Sequence, residues 1–175
     1  MSRIAEAEVM AVSIPLTKPV RMAGITIGTA DNLIVCLKDT EGREGWGEAA
    51  SAPTMTGEFA EGMVAAGRFL AAQIVGADCR DAARATPLLA HPLYGNQGVK
   101  AAFECAFLDL LAQDQHVPLY HLLGGQRRES APVLTMVSGS DPQAEVDNAL
   151  TAAAAGFSAF KVKVGVGTAQ ADLAR

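Results

Sequence analysis

Apolar strand-forming residues dominate two segments near the start of the chain, residues 7–16 and 32–49, and a polar, glycine-bearing segment separates them. A turn-forming run from Asp39 to Gly42 divides the second segment into two arms. This pattern predicts a three-stranded antiparallel meander. We expect residues 17–31 to form a long mobile loop, and residues 50–58 to form a second loop on the same side.

Helical periodicity replaces the strand pattern from about residue 57. Residues 57–76 and 98–115 both carry apolar side chains at helical spacing, which predicts two amphipathic helices packed on the sheet. We expect Trp46 to pack between the sheet and these helices. The predicted buried positions are Phe59, Met63, Ala66 and Leu70 in the first helix, and Val99, Ala102, Phe103, Ala106, Phe107 and Leu110 in the second.

The pattern changes again near residue 127. A short buried strand over residues 131–139 precedes a helix that begins at Ser140 or Asp141 and ends before Gly156. A strand over residues 157–165 and the opening of another helix follow, so the order predicts a parallel βαβ unit. Two strands and one helix cannot bury both faces of a parallel sheet. We therefore expect this second unit to be incomplete and the chain to be an N-terminal fragment.

Composition limits the function classes. Half of the 175 residues are hydrophobic, which is enough for a packed core, and the net charge of −5 gives no basis for binding nucleic acid or an acidic membrane surface. No apolar run approaches the length of a membrane span. Three widely spaced cysteines, Cys36, Cys79 and Cys105, predict buried thiols in a reducing compartment. We expect a cytoplasmic globular protein.

Two lysines interrupt the apolar strand over residues 157–165. Lys161 and Lys163 share one face of a strand, and Phe160, Val162 and Val164 share the other. Taken alone, this alternation is typical of a half-solvated strand. If the parallel series closes into a (β/α)8 barrel, however, the lysines point inward at the carboxyl end of their strand, where barrel enzymes place catalytic groups. Two adjacent ammonium groups repel each other, which favours the neutral amine that a general base requires.

An ordered set of segments, "GWGEA", "TMTGE", "KAAFECAFLDLLAQDQHVPLYHLLGG" and "FKVKVG", resembles the enolase superfamily. The resemblance is to the mandelate racemase/muconate lactonizing enzyme family, and within it to the muconate-lactonizing branch with its Lys-x-Lys motif. It implies that residues 1–127 form an α+β capping domain and that residues 128–175 begin a (β/α)8 TIM-like barrel. It also implies that a base removes the proton α to the carboxylate of a small-molecule substrate, and that Mg²⁺ stabilises the enediolate.

The resemblance also assigns roles to individual residues. It implies that Lys163 is the base and that Lys161 lies beside it, tuning its basicity and neutralising developing charge. Two loops of the capping domain close over the barrel mouth in this family, so the candidate substrate neighbours are Met22, Ala23, Thr54, Met55 and Thr56, with Ser138 at the end of the first barrel strand.

The resemblance also implies that this chain carries only part of the enzyme's active site. It implies that the Mg²⁺ ligands and an opposite-face lysine lie on later barrel strands, past Arg175. We therefore expect residues 1–175 alone to be inactive, and the full-length protein to be a homo-oligomer. Racemisation or epimerisation, cycloisomerisation and dehydration share the first half-reaction, and all three stay open.

Two other readings use the same segment differently. A nucleotide-binding unit is suggested by "VGVGTAQ" between a strand and a helix, but Gln170 stands where the dinucleotide fingerprint requires a third glycine. A non-catalytic α/β binding module, in which Lys161 and Lys163 face solvent, is the second alternative. It predicts that removing Lys163 has no effect on activity.

Overall fold

The structure is a computed structural model that describes residues 2–22, 25–81, 87–137, 141–165 and 168–173. The chain divides into two compact units, Met1–Gly125 and Gln126–Arg175.

The first unit contains a three-stranded antiparallel sheet of β1 (Ile4–Met22), β2 (Ile25–Asp39) and β3 (Glu44–Ala50), in that order. The turn between β2 and β3 places Gly42 at φ +82°, a conformation that favours glycine, and the Gly42 N–H donates to the Asp39 carbonyl. The predicted meander is confirmed.

The long mobile loop predicted over residues 17–31 is wrong. Most of this segment is a two-stranded arm, in which Val20 pairs with Ile27 and Met22 pairs with Ile25. The register shifts between the pairs Pro15–Thr29 and Val20–Ile27, and between these pairs β1 contains more residues than β2. Pro15 and Pro19 lack a backbone N–H, but they are tolerated because β1 is an edge strand and needs no hydrogen-bond donor on its free side. The arm is largely exposed on both faces, so it lacks the one-sided apolar pattern by which a strand is recognised.

Two long helices, α1 (Ala60–Ile74) and α2 (Gln97–Asp114), pack on the sheet, and the single turn α3 (Leu119–Leu122) follows. Among the described residues, no helix is both long and apolar enough to cross a membrane. All six positions predicted to be buried in α2 are buried, but Phe59, which was expected on the buried face of α1, is exposed because it precedes the helix as its N-cap. The largest core side chains are Ile4, Leu33, Val35, Leu37, Met63, Leu70, Ile74, Val99, Phe103, Phe107 and Leu110.

The "GWGE" segment of β3 allows α2 to approach the sheet closely. A Cβ at Gly45 would lie 2.2 Å from the Ala106 carbonyl oxygen, and one at Gly47 would lie 1.8 Å from the Ala102 carbonyl oxygen. Side chains alternate along a strand, so Trp46 points to the opposite face. The expectation that Trp46 packs between sheet and helices is therefore wrong, and its side chain is 49% exposed.

The cysteines only partly follow expectation. Cys36 and Cys79 are buried, as predicted, but Cys105 is exposed. Cys105 lies on α2 between the exposed Glu104 and the buried Ala106, and its own side chain falls on the solvent side of the helix. Residues that are adjacent in sequence point to different sides of a helix, so the apolar residues near Cys105 do not imply that its own side chain is buried.

The second unit contains β4 (Leu134–Val137), α4 (Pro142–Ala154), β5 (Ala159–Val162) and the short α5 (Ala169–Leu173). The strands are parallel, which confirms the predicted βαβ unit. The Asp141 carboxylate caps α4 by accepting from the Ala144 N–H at 3.0 Å, and Gly156 follows the helix at φ +97°. Strand β5 is shorter than predicted and ends at Val162.

Candidate functional site

The two candidate catalytic lysines lie at the carboxyl end of β5. Lys161 is within the strand, in register with Met136 of β4, and Lys163 is the first residue after the strand. Both lysine side chains are exposed. Both candidate lysines therefore lie at the point where β5 ends, Lys161 inside the strand and Lys163 directly after it.

The two faces of β4 differ in burial. Val137, which is in register with Val162, is 8% exposed, whereas Met136, in register with Lys161, is 48% exposed. Strand β5 shows no such difference, since Val162 is 52% exposed. Helix α4 packs on β4. Register partners in a sheet share a face, so Lys161 lies on the face opposite to the buried Val137.

Strands β4 and β5 end level with each other, because Val137 and Val162 are register partners. The carboxyl ends of the two strands therefore lie at the same edge of the sheet. Ser138, the candidate at the end of β4, lies outside the described residues.

The candidate substrate loop between β3 and α1 is a compact turn closed by its own hydrogen bonds. The Ala52 carbonyl accepts from the Met55 N–H at 3.0 Å and from the Thr56 N–H at 2.8 Å, and the Thr56 hydroxyl donates to it at 3.3 Å. Gly57 takes φ +79° where the loop turns back toward α1. Thr54, Met55 and Thr56 are exposed, and Met55 retains 69% of its accessible surface. The loop thus displays the Thr54 and Met55 side chains, whereas the Thr56 hydroxyl also holds the loop together.

Glu58 ends this loop and connects it to α2. The Gly98 N–H, in the first turn of α2, lies 3.2 and 3.3 Å from the two carboxylate oxygens of Glu58. The Glu58 carbonyl accepts from the Ala52 N–H at 3.1 Å and from the Ser51 hydroxyl at 3.2 Å. One residue therefore closes the base of the loop and attaches it to a helix.

The tip of the β1–β2 arm is the other candidate substrate element. Met22 ends β1 in register with Ile25, but its side chain and all of Ala23 lie outside the description. The Ser51 N–H donates to the Asp31 carbonyl at 2.8 Å, so the loop leaves the sheet at the same end as this arm. Both candidate elements therefore lie at one end of the first unit.

A cavity of about 590 Å³ opens between the β1–β2 arm, the loop and α1. Ser13, Asp31 and Arg68 line it. The Ser13 hydroxyl donates to the Asp31 carboxylate at 2.6 Å, and the Thr29 hydroxyl donates to the other oxygen of that carboxylate at 3.3 Å. The sequence did not indicate this cluster, because only the strand register places Ser13 opposite Asp31.

The described residues offer no metal site. No group of three or more His, Cys, Asp or Glu side chains among them could hold a metal ion. The donor set therefore does not fit Mg²⁺, and no chemical step is assigned to a metal held by this part of the chain.

Comparison with known proteins identifies the family. Residues 4–124 match the model of the mandelate racemase/muconate lactonizing enzyme N-terminal domain. The D-Ala-D/L-Ala epimerase of Cytophaga hutchinsonii is 31% identical over 98% of this chain and 46% of its own length. The chloromuconate cycloisomerase of Cupriavidus pinatubonensis is 31% identical over 98% of this chain and 47% of its length.

The fold comparison gives the same result. The crystal structure of the Cytophaga hutchinsonii dipeptide epimerase, complexed with Mg and the dipeptide D-Ala-L-Val, matches with a TM-score of 0.90 at 30% identity, over 98% of this chain and 46% of that one. The chain spans about half the length of the relatives it matches. It belongs to the mandelate racemase/muconate lactonizing enzyme family of the enolase superfamily.

Proposed function

We propose that this chain supplies the capping domain, residues 1–127, and the start of a (β/α)8 barrel, residues 128–175, to an isomerase that epimerises or racemises a small carboxylate. The observation that carries this proposal is the Lys161-Val162-Lys163 segment at the carboxyl end of a parallel strand, with both lysine side chains exposed. That is the edge at which barrel enzymes place their catalytic groups. Family membership and the epimerase relative support it.

Lys163 is the proposed base. As a neutral amine it accepts the proton α to the substrate carboxylate, and the C–H electron pair moves into the carboxyl group to give an enediolate. The ammonium of Lys161, two residues away, stabilises the negative charge that develops. Return of a proton to the opposite face of the α-carbon gives the epimer, and return to the same face regenerates the substrate.

Mg²⁺ is part of the proposal only for the whole enzyme. It would stabilise the enediolate as a Lewis acid, held by carboxylates outside the residues described here. A crystal structure of a relative contains Mg, which supports this assignment.

Substrate recognition is assigned to the two candidate elements at one end of the first unit, together with Ser138 of the second unit. Thr54 and Met55 are exposed at the loop tip, and we propose that they contact the substrate with Thr56, Met22 and Ala23, while Ser138 binds a substrate carboxylate from the end of β4. A dipeptide is the first substrate class to test, because a related structure holds D-Ala-L-Val. Cytoplasmic location and a homo-oligomeric full-length enzyme remain predictions.

Cycloisomerisation is the second candidate, because a chloromuconate cycloisomerase is equally similar in identity and coverage. Dehydration by the same first half-reaction is a further alternative. A non-catalytic module with solvated lysines is the competing class, and the exposure of Lys161 and Lys163 in this chain agrees with it.

The test uses a chimera of residues 1–175 with the part of the Cytophaga hutchinsonii epimerase that follows its matched region. We expect Mg²⁺-loaded chimera to exchange the α-proton of D-Ala-L-Val in D₂O, followed by NMR. Lys163→Ala should lower the exchange rate about 10²- to 10⁴-fold, the usual contribution of a general base. Lys38→Ala, a lysine of β2 at the opposite end of the sheet from the arm, is the matched control and should leave the rate unchanged. Exchange that survives Lys163→Ala would refute the assignment and favour the non-catalytic module.

A further inference from the structure

The attachment of the 51–58 loop to α2 suggests a role for Glu58 that the sequence alone does not indicate. Both oxygens of the Glu58 carboxylate accept a hydrogen bond from the Gly98 N–H, at nearly equal distances. Glu58 and Gly98 are 40 residues apart in the chain. Its side chain is partly buried by this contact, whereas Thr54, Met55 and Thr56 are exposed. Glu58 is therefore the point at which an otherwise exposed loop meets the packed body of the first unit.

The Glu58 carboxylate provides the side-chain acceptor at the start of α2 that the helix's own N-cap residue does not supply. Asn96 precedes the helix in the left-handed conformation, φ 52°, and its side chain donates to the Tyr94 carbonyl instead of accepting from the helix. The first N–H groups of a helix have no intrahelical acceptor, and a negative charge beside them is favourable. Glu58 supplies both an acceptor and the charge. The contact is thus favourable for α2 as well as for the loop.

The same residue closes the loop through its backbone. The Ala52–Glu58 bridge and the Ser51 hydroxyl bond to the Glu58 carbonyl fix the base of the loop. The Glu58 N–H lies 3.4 Å from the Thr56 hydroxyl, which in turn donates to Ala52. A displacement of Glu58 would therefore be transmitted directly to residues 54–56.

We propose that Glu58 is a positioning residue: by binding the N-terminus of α2 it holds the 51–58 loop in the geometry that receives the substrate, and so determines substrate affinity. This inference rests on the proposed function, since it requires that the loop contact the substrate. Glu58 itself touches no reacting atom. Its loss should act on binding through the loop and leave proton abstraction by Lys163 in place.

A purely structural role for Glu58 makes a different prediction. The buried side chains of α2 hold the helix against the sheet, among them Val99, Phe103 and Leu110, so loss of one acceptor at its first turn should leave the helix folded. The loop has no comparable buried anchor at positions 54–56. Loop order and substrate affinity should therefore respond to Glu58 much more than the helix does.

The first measurement is amide hydrogen exchange on the chain itself. Glu58→Ala should speed exchange at Met55 and Thr56, whose N–H groups bond to the Ala52 carbonyl, and leave the amides of residues 103–110 unchanged. Glu58→Gln keeps an acceptor oxygen and should partly rescue the loop. Glu61→Ala, an exposed acidic residue in the first turn of α1, is the matched control and should change neither segment.

A second variant displaces the carboxylate without deleting it. A Cβ at Gly98 would lie 2.8 Å from Glu58 Oε2, so Gly98→Ala pushes the flexible side chain away. Alanine has a higher helix propensity than glycine, so Gly98→Ala should keep or increase the free energy of unfolding. Faster exchange at Met55 and Thr56 in a protein that is no less stable would support positioning, and unchanged exchange in both Glu58→Ala and Gly98→Ala would overturn it.

The second measurement is kinetic and uses the chimera with D-Ala-L-Val. Glu58→Ala should raise KM about tenfold with little change in kcat, because a misplaced loop weakens binding rather than proton transfer. An unchanged KM, with or without a looser loop, would overturn the inference while the proposed function stands. Exchange that survives Lys163→Ala would instead refute the proposed function, and the hydrogen-exchange result would still decide whether Glu58 anchors the loop.

Discussion

Gly47 lies against the backbone of α2 at Ala102, so closely that a Cβ at position 47 would be 1.8 Å from the Ala102 carbonyl oxygen. Backbone cannot move aside as a flexible side chain can. We expect Gly47→Ala to lower the free energy of unfolding by about 3 kcal/mol, at the upper end of the range for overpacking. Urea unfolding followed by the fluorescence of Trp46, the single tryptophan, measures this loss.

Gly62→Ala is the control for this substitution. Gly62 lies on the exposed side of α1 with no atom within 4 Å of an added Cβ. Alanine should stabilise the helix there by up to about 1 kcal/mol. If both variants changed stability alike, the close approach of β3 and α2 would not be the reason for glycine at position 47.

The features that could be predicted from the sequence depend on the pattern of residues within one element. The features that could not be predicted depend on strand register or on contacts between elements. The buried face of α2 follows from periodicity, and so all six of its predicted positions are correct. The direction of Trp46 was not predictable from its size, because it depends on Gly45 and Gly47 taking the helix-facing positions. The pairing of Ser13 with Asp31 requires the register of an arm whose polar composition resembles a loop.

In the candidate site, too, the features within one element were predictable and the contacts between elements were not. The Lys161-Val162-Lys163 spacing predicts a shared face from the strand period alone, and the parallel pairing places Lys161 in register with the half-exposed Met136 rather than with the buried Val137. The Glu58–Gly98 contact joins residues 40 positions apart, and no local pattern indicates it.

Asp109 protects the free edge of β3. Its carboxylate accepts from the Trp46 N–H at 3.0 Å, and the Gln113 side chain donates to the Glu44 carbonyl at 2.7 Å, so α2 takes the place of a fourth strand. Asp109→Ala should speed hydrogen exchange at the Trp46 amide and destabilise the protein by about 1 kcal/mol, the typical value of one hydrogen bond. Asp109→Asn keeps an acceptor oxygen and should retain most of the protection. Equal exchange in the two variants would contradict this role.

Thiol reactivity distinguishes the three cysteines. Burial raises the pKa of the Cys36 and Cys79 thiols and hides both from solvent, whereas Cys105 is exposed. The thiolate is the reactive form, so Ellman's reagent should titrate one thiol in the native protein and all three in urea. Cys105→Ser should remove the native reaction. A native count of two or more would show that one of the buried sites opens readily.

Acid stability should depend on Asp39, whose side chain is buried at the turn between β2 and β3. Its oxygens accept from the Ser2 hydroxyl at 2.8 Å, from Arg43 Nε at 2.7 Å, and from the backbone N–H groups of Glu41 and Arg43 at 2.9 Å. Burial alone would raise the pKa of Asp39, but these hydrogen bonds, those from Arg43 first, outweigh it and lower the pKa below its ordinary value. The folded state therefore favours the charged carboxylate.

The sign of the pH dependence follows from that shift. An unfolded aspartate titrates near pH 3.9, so the stabilisation is fully present above that pH and is lost as the pH falls through the lower folded-state pKa. Asp39→Asn should remove this part of the acid dependence. It should also destabilise the protein at pH 7 by about 2 kcal/mol, the value of hydrogen bonds to a charged group, while Arg43 keeps its contact with Asp114 at 2.8 Å. Urea unfolding from pH 2 to pH 7 measures both effects. Glu6→Gln, an exposed carboxylate on β1, should keep the wild-type profile, and an Asp39→Asn profile as steep as the wild type would place the acid-sensitive group elsewhere.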